Sequence, residues 1–215
     1  MILNESPATI VAVRWGLKPP WIRSIKRDGL INVRSDTLKE RATFSKDLLE
    51  RRCLVLADGF YEWKGTSSGR KIPYRFVRKD RSLFAFAGLW EMNRDEHGNG
   101  LRTFAIITTN ASAPVKAIHD RMPVIVKREE ESIWLSRTTE LPKIWDVMQN
   151  SDSRSLTAYE VSRALNNAKN DSLDLIVPAS DGQPDLHAPT LFAQEKHEDR
   201  HRSCDSGVGN GAGGT

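Results

Sequence analysis

The sequence predicts an α+β fold in which a curved, mainly antiparallel sheet forms a barrel-like core flanked by short helices. Two observations lead to this prediction. Between residues 53 and 109 the chain is a succession of short apolar or alternating runs, separated by turn-forming segments. The helical patterns are brief and lie outside this stretch. Strands that follow one another through short connections usually pair as antiparallel neighbours.

The first fifty residues contain two predicted strands and one predicted helix. Residues 9–13 and 30–34 are β-branched runs typical of strands. Between them a Pro-Pro pair cannot continue a central strand, and we expect a rigid surface turn that presents Trp21. Residues 36–51 have helical spacing, with inward positions at Leu38, Ala42, Leu48 and Leu49. Apart from the run at residues 9–13, no recognisable first strand precedes Trp15, so we expect the opening segment of the fold to be missing.

The middle of the chain is rich in predicted strands. Apolar or alternating runs occupy residues 53–57, 60–64, 74–77, 83–87 and 104–109. Glycine- and serine-rich residues 65–69 and the polar insert 93–100 have the composition of hairpin loops. Short helical patches follow at residues 113–118, 129–135 and 142–148, and the apolar run 173–177 closes the fold.

The chain divides into one predicted domain and a tail. At 215 residues it is long enough to bury one substantial core, which we place at residues 1–180. Residues 181–215 are rich in Gly, Asp and His and cannot bury enough apolar surface to offset chain entropy, so we expect disorder there. Within this tail, residues 189–192 form either a short peptide ligand for a replication or repair partner, or filler without a partner.

Composition narrows the class of protein. A hydrophobic content of 39% and a charged content of 28% suit a globular domain, and no apolar run approaches a membrane span. We therefore expect an intracellular, cytoplasmic protein, monomeric and without a membrane partner, which would lie at the nucleoid in a bacterium. Two distant cysteines and five scattered histidines show no disulfide framework or metal-ligand spacing, so no metal and no cofactor are predicted.

Positive charge is concentrated in the predicted domain. The net charge of +4 becomes +7 for residues 1–180, because the tail has six acidic and three basic side chains. A basic surface attracts phosphate backbones by counterion release. The same excess also describes the solvated face of an ordinary basic protein, and charge alone does not separate these two explanations.

Glu62 is the most suggestive single side chain. Strand alternation places it on the opposite face from its aromatic neighbours Tyr61 and Trp63. A carboxyl group among aromatic residues tends to have a raised pKa, which suits proton transfer near neutral pH. Taken alone, the pattern more often marks an exposed glutamate on the solvent face of a strand.

Three further polar residues are candidates for chemistry. His119 lies in a loop beside Asp120 and Arg121, where it could carry a proton, bind an anion or merely stabilise the loop. Asn32 and Arg34 are two residues apart in a predicted strand and hence on one face, where they offer an amide and a phosphate-binding fork. Each signal is weak when taken separately.

The two cysteines are poor candidates for a nucleophile. Cys53 follows Arg51-Arg52, and adjacent positive charge can lower a thiol pKa. It also opens the most apolar run of the chain, so we expect it to be a buried structural residue. Cys204 lies in the tail without an organised partner.

Six segments stand out over residues 10 to about 178: WGLKPPW (15–21), INVRSDT (31–37), RRCLVLADGFYEWK (51–64), FAGLWE (86–91), TTNA (108–111) and HDRMP (119–123). Together and in this order, they resemble the SOS response-associated peptidase family, whose members process abasic sites in DNA. Any one could arise by chance, whereas the ordered set is specific.

The resemblance implies a covalent chemistry. In the family, an N-terminal cysteine reacts with the ring-opened aldehyde of an abasic site, and its amine and thiol close a thiazolidine cross-link that shields single-stranded DNA. By this resemblance Asn32 orients the reacting centre, Glu62 moves protons and His119 polarises the sugar oxygen. Arg34 would hold a phosphate beside the lesion, with Trp21 and Thr109 lining the DNA groove. Single-stranded DNA is gripped by such basic and aromatic grooves.

The chain departs from the family at its start. Family members begin Met-Cys-Gly-Arg and pass through an opening helix and an Asn-x-Ala-Pro segment, whereas residues 1–14 contain neither pattern. Either the domain is truncated or the chain is a degenerate member, and we favour truncation because the other polar residues fit the reaction. The sequence as written is not expected to form the cross-link. Two other functions stay open: a non-catalytic module for single-stranded or junction DNA, and a self-processing peptidase.

Overall fold

The computed structural model describes residues 1–20, 29–40 and 43–179. Within these ranges the chain forms two β-sheets and four short α-helices. The strands are β1 (Ile2–Leu3), β2 (Ser6–Ile10), β3 (Arg14–Trp15), β4 (Asn32–Arg34), β5 (Arg52–Ala57), β6 (Phe60–Gly65), β7 (Lys71–Arg78), β8 (Phe84–Arg94), β9 (Gly100–Asn110), β10 (Arg121–Pro123), β11 (Ile125–Val126) and β12 (Leu156–Glu160). The helices are α1 (Ser35–Glu40), α2 (Thr43–Glu50), α3 (Glu131–Leu135) and α4 (Leu141–Gln149).

The large sheet is mainly antiparallel and is organised around the β8–β9 hairpin. Its strand order is β10-β9-β8-β5-β1-β2, with β11 added to β8, and β3 and β4 added in parallel to β9. The α+β class and the mainly antiparallel sheet are thus confirmed. Among the described strands the order ends at β10 and β2, so this part of the chain does not close into a barrel.

A second sheet of three strands has the order β12-β7-β6. Its outer strand β12 was not predicted, because Leu-Thr-Ala-Tyr-Glu is too short and mixed to stand out in the sequence. Pairing with β7, from Leu156 opposite Arg78 to Glu160 opposite Tyr74, makes it a strand. Tertiary context routinely overrides weak local preference in this way.

The large sheet separates two apolar clusters. Alternation along β5 directs Leu54 into one cluster and Cys53 into the other. The first cluster is covered by the helices and contains the fully buried Trp134, and the second is aromatic and is covered by the small sheet. Burying one large apolar side chain contributes about 1.5–3 kcal/mol, so the two clusters hold the helices and the small sheet on opposite faces of the large sheet.

The prediction that no first strand precedes the run at residues 9–13 is wrong. Two strands precede Trp15, and β1 lies between β5 and β2, with Ile2 opposite Leu54. β1 gives no periodic signal, because it has only two residues and polar residues follow it. Its hydrogen bonds to β5 and β2 make it a strand. The strand predicted at residues 9–13 is also displaced, since β2 ends at Ile10.

The helical predictions are confirmed in part. The single helix predicted at 36–51 is two helices, α1 and α2, and Leu38 and Leu48 are buried as expected. Leu49 is exposed, because it lies one residue past Leu48 and hence about 100° further around α2. Ala42 lies outside the described residues. The helical patch predicted at residues 113–118 contains only a 3₁₀ turn, Val115–Ala117. The apolar run 173–177 also contains a 3₁₀ turn, Leu173–Leu175. The other two patches correspond to α3 and α4.

The described helices are all short. None of them has the length and apolar character needed to span a membrane. The predicted tail, residues 181–215, lies outside the described residues.

Candidate functional site

A cavity of about 790 Å³ opens between the two sheets and gathers four of the predicted site residues. Asn32, Arg34, Glu62 and His119 all line it. Its walls are otherwise largely aromatic and aliphatic, and include Trp15, Phe60, Trp63, Phe86, Phe104 and Ile106. An apolar cavity with a few converging polar groups is the usual form of a small-molecule or active site.

Strand β9 places Asn32 and Arg34 beside the cavity. β4 runs parallel to β9, with Asn32 opposite Ile106 and Arg34 opposite Thr108. Val33, between them, is buried on the helix-covered face, so Asn32 and Arg34 share the opposite face, as predicted.

Thr109 is not among the described residues that line the cavity. Strand alternation directs Thr109 to the face opposite that of Thr108, and it is Thr108 that contributes to the wall. Trp21 lies outside the described residues. The role of Thr109 in DNA binding stays a prediction, as does that of Trp21.

Glu62 and His119 form a pair inside the cavity. The Glu62 side chain on β6 is only 19% exposed, and its Oε2 lies 3.4 Å from Nδ1 of His119. Glu62 is therefore not the solvent-facing glutamate that its pattern alone suggested. Burial raises the pKa of the Glu62 carboxyl group, while the nearby His119 and a hydrogen bond from the backbone N–H of Trp63 partly oppose this shift. Glu62 is thus more readily protonated near neutral pH than an exposed glutamate.

The backbone of Arg121 contacts the imidazole of His119 at Nδ1. Arg121 N–H donates to Nδ1 at 3.1 Å in the neutral tautomer that carries its proton on Nε2. Nδ1 also lies 3.1 Å from the carbonyl oxygen of Arg121. A second proton at Nδ1 would therefore face two acceptors, that carbonyl and the Glu62 carboxylate. The pair can hold one proton in alternative positions, as general acid–base chemistry requires.

Arg121 is a site residue that sequence reasoning missed. Its side chain lines the cavity and is 17% exposed. It donates to Asn110 Oδ1 at 2.6 Å and to the Thr108 carbonyl at 2.7 Å, which ties β10 to the end of β9. Its position in the HDRMP segment, two residues after His119, was a usable signal, because a charged side chain beside a candidate proton carrier can belong to the same site.

Asp36 connects Arg121 to Arg34. One carboxylate oxygen, Oδ2, accepts from Arg34 at 3.0 Å and from Arg121 at 3.2 Å. The hydrogen bond from Arg34 is the largest reason why the pKa of Asp36 is lowered, so this carboxyl group is ionised near neutral pH. The pKa of Arg121 is lowered by its burial and by the positive charge of Arg34.

Trp15 was also missed as a site residue. Its ring is 51% exposed at the cavity wall and stacks on Phe104, with centroids 6.0 Å apart and planes 10° apart. Its Nε1 donates to the carbonyl of Ile31 at 2.7 Å, which holds the ring in place. A half-exposed, immobilised aromatic face is a platform on which a planar group can stack.

The described cysteine is confirmed as a buried residue. Cys53 on β5 is fully buried within the aromatic cluster, it does not line the cavity, and burial raises the pKa of its thiol. His119 lines the cavity and Cys53 does not, so Cys53 is not placed to act as a nucleophile with His119. Cys204 lies outside the described residues. Within the described part of the chain, no three His, Cys, Asp or Glu residues are grouped so as to hold a metal ion.

The sequence profile of the SOS response associated peptidase (SRAP) family matches residues 1–168. The chain belongs to this family. SRAP relatives include the abasic site processing protein YoqW of Bacillus subtilis, which is 43% identical over 178 residues covering 81% of this chain and 80% of the relative. The abasic site processing protein HMCES of Gallus gallus is 30% identical over 207 residues, covering 84% of this chain and 61% of the longer relative.

Solved structures agree with this SRAP assignment. A Bacteroides thetaiotaomicron protein matches with a TM-score of 0.65 and 31% identity, over 75% of this chain and 74% of that chain. A Bordetella bronchiseptica protein matches with a TM-score of 0.59 and 28% identity, over 70% and 76% of the two chains. These likenesses extend across most of the domain.

Proposed function

We propose that this SRAP protein binds single-stranded DNA at an abasic site and promotes opening of the abasic sugar ring to its aldehyde. The observation that carries the proposal is the Glu62–His119 pair, 3.4 Å apart in a largely apolar cavity that also contains two arginines. The names of the relatives, abasic site processing proteins, supply the substrate class.

The reaction requires one proton to be removed and one to be returned. Opening the cyclic hemiacetal takes a proton from the anomeric hydroxyl, breaks the bond between the anomeric carbon and the ring oxygen, and protonates that oxygen. In our proposal Glu62 accepts the first proton and returns it to the ring oxygen, so its charge is restored. Its raised pKa suits both halves of this exchange.

His119 and Asn32 act on the same sugar. With Nδ1 accepting from Arg121, the neutral imidazole retains an Nε2–H that can donate to a sugar oxygen and polarise it. Asn32, on the strand next to β9, offers an amide that can orient the reacting carbon. Arg34 binds a flanking phosphate, and the exposed face of Trp15 stacks on a neighbouring base.

The covalent step needs a nucleophile, and Cys53 is too deeply buried to provide it. A thiazolidine requires a free amine and a thiol on one residue, so Cys53, whose nitrogen is in a peptide bond, cannot form that ring. An amine alone would form an imine with loss of water, and hydrolysis reverses that reaction. Strand cleavage and peptide-bond hydrolysis by this chain are not part of the proposal.

The test supplies the nucleophile from solution. Abasic single-stranded DNA is incubated with methoxyamine, and the oxime on the DNA is measured by mass spectrometry with and without protein. The wild-type chain should accelerate the reaction, and Glu62→Gln should lose most of the acceleration while still binding DNA. Glu96→Gln is the matched control, since the Glu96 side chain is 86% exposed.

The alternatives predict different results. If the wild-type protein binds the DNA without accelerating oxime formation, the chain is a single-stranded DNA-binding module and the catalytic proposal fails. If a denaturing gel shows a covalent band between this chain and abasic DNA that is lost in the Cys53→Ala variant, our conclusion that Cys53 takes no part in the chemistry fails. A protein that does not bind single-stranded DNA at all would remove both proposals.

A further inference from the structure

The two arginines of the site lie on strands that approach β9 from opposite sides. The N–H of Ile106 donates to Ile31, just before β4, whereas the carbonyl of Ile107 accepts from Val124, just after β10. Because successive residues of a strand point their backbone groups to opposite edges, β4 and β10 flank β9. Arg34 and Arg121 therefore reach the cavity from strands on opposite edges of β9.

These guanidinium groups repel each other and differ in how firmly they are held. Arg121 is anchored by Asn110 and by the Thr108 carbonyl. The Arg34 side chain is 61% exposed, and Asp36 is the partner that the described residues provide for it. Both guanidinium groups donate to one oxygen, Asp36 Oδ2, within 3.2 Å. A carboxylate between two like charges holds them closer than they would otherwise lie.

We propose that Asp36 is a positioning residue that holds Arg34 against the anchored Arg121, so that the two guanidinium groups bind one DNA phosphate together. This inference rests on the proposed function, since it assumes that the cavity binds a DNA strand. Two preoriented guanidinium forks match the oxygens of a phosphate better than one mobile arginine does. The carboxylate itself does not touch the DNA in this arrangement.

For the DNA affinity of an Asp36→Asn variant, the proposal predicts the opposite of what a change in net charge alone would predict. Removing a negative charge near a phosphate site should strengthen DNA binding if Asp36 has no positioning role. If Asp36 positions Arg34, then Asp36→Asn releases Arg34 and weakens binding despite the gain in net positive charge. We expect a roughly tenfold loss of affinity, comparable with the loss of one charge-assisted hydrogen bond.

The measurement is fluorescence anisotropy with a labelled thymidine oligonucleotide containing one abasic site, repeated over a range of salt concentrations. For Asp36→Asn, the slope of log affinity against log salt should become shallower by about 0.7, the contribution of one phosphate contact on a single strand. Thermal melting of each variant checks that it is folded. Asp120→Asn is the matched control, because Asp120 is next to Arg121 in sequence but pairs with Lys116 at 2.7 Å.

A double variant separates positioning from general destabilisation. In an Arg34→Met background, Asp36→Asn should cause no further loss of affinity, since the residue it positions is already gone. An affinity of Asp36→Asn equal to or higher than that of wild type, or an undiminished loss in the Arg34→Met background, overturns the inference. Absence of DNA binding by the wild-type protein instead overturns the proposed function, so the two failures are distinguishable.

Discussion

The burial of Cys53 makes a quantitative prediction about its reactivity. The side chain is fully buried in the aromatic cluster, and a Cβ added at Gly88 on the neighbouring strand β8 would lie only 2.8 Å from its sulfur. Close packing leaves no path for a reagent unless the sheet opens. Opening a central strand costs nearly the whole free energy of unfolding, which is about 5–15 kcal/mol for a domain of this kind.

This cost sets the expected rate of alkylation. Even the lower figure of about 5 kcal/mol slows labelling by between three and four orders of magnitude, because each 1.4 kcal/mol is worth about a factor of ten. Burial also raises the pKa of the Cys53 thiol, which lowers the fraction present as the reactive thiolate. We therefore expect Cys53 to react only through unfolding.

The assay uses a Cys204→Ser variant, in which Cys53 is the single thiol, and follows iodoacetamide labelling by mass spectrometry. Labelling should accelerate with urea in parallel with loss of tertiary structure. Cys53→Ala should lower the free energy of unfolding by about 1 kcal/mol and leave DNA binding unchanged. Labelling of the folded protein within tenfold of a free cysteine, or loss of DNA chemistry in Cys53→Ala, would refute the conclusion that this thiol has only a structural role.

Three further predictions address the site and its support. Because burial raises the pKa of Glu62 in the folded state, the protonated carboxyl group stabilises the fold at pH values below its ordinary pKa of 4.5. This stabilisation is lost as the pH rises through the raised pKa. Urea unfolding should thus show Glu62→Gln gaining stability over wild type as the pH rises above that range, with no gain below it. Trp15→Ala should weaken single-stranded DNA binding by roughly 5- to 150-fold in titrations, the value of one stacked base, with little change in melting temperature. Arg52 is fully buried and donates to the carbonyls of Leu48, Leu49, Trp134 and Ser136, so Arg52→Met should cost about 3 kcal/mol in chemical denaturation; an unchanged midpoint would contradict this role.

The sequence predicts best those strands whose signal is local. β5, β7, β8 and β9 are long runs with an apolar or alternating pattern, and each lies where the pattern indicates, although the ends extend further. β1 and β12 were missed because neither has a pattern of its own. They become strands by hydrogen bonding to β5 and β7, contacts that span large separations in sequence.

The candidate site shows the same division between local and non-local information. The positions of Glu62 and His119 on neighbouring elements could be inferred only from the family resemblance, because nothing in either segment indicates the other. Asp36 and Arg121 form an ion pair across 85 positions in sequence, and no periodicity reports such a contact. Sequence patterns give the face of a strand, whereas the fold decides which faces meet.

In the proposed function, Arg121 links phosphate binding to the proton chemistry of the cavity. Arg121 contributes to both, since its guanidinium group contacts Asp36 while its backbone N–H orients His119, which in turn faces Glu62. A phosphate bound by Arg34 and Arg121 would introduce negative charge close to a carboxyl group whose pKa is already raised by burial. That charge disfavours the ionised carboxylate still further. In our proposal DNA binding therefore raises the pKa of Glu62 further and makes its carboxylate a stronger base toward the anomeric hydroxyl, so that the strand which brings the abasic sugar also strengthens the group that opens it.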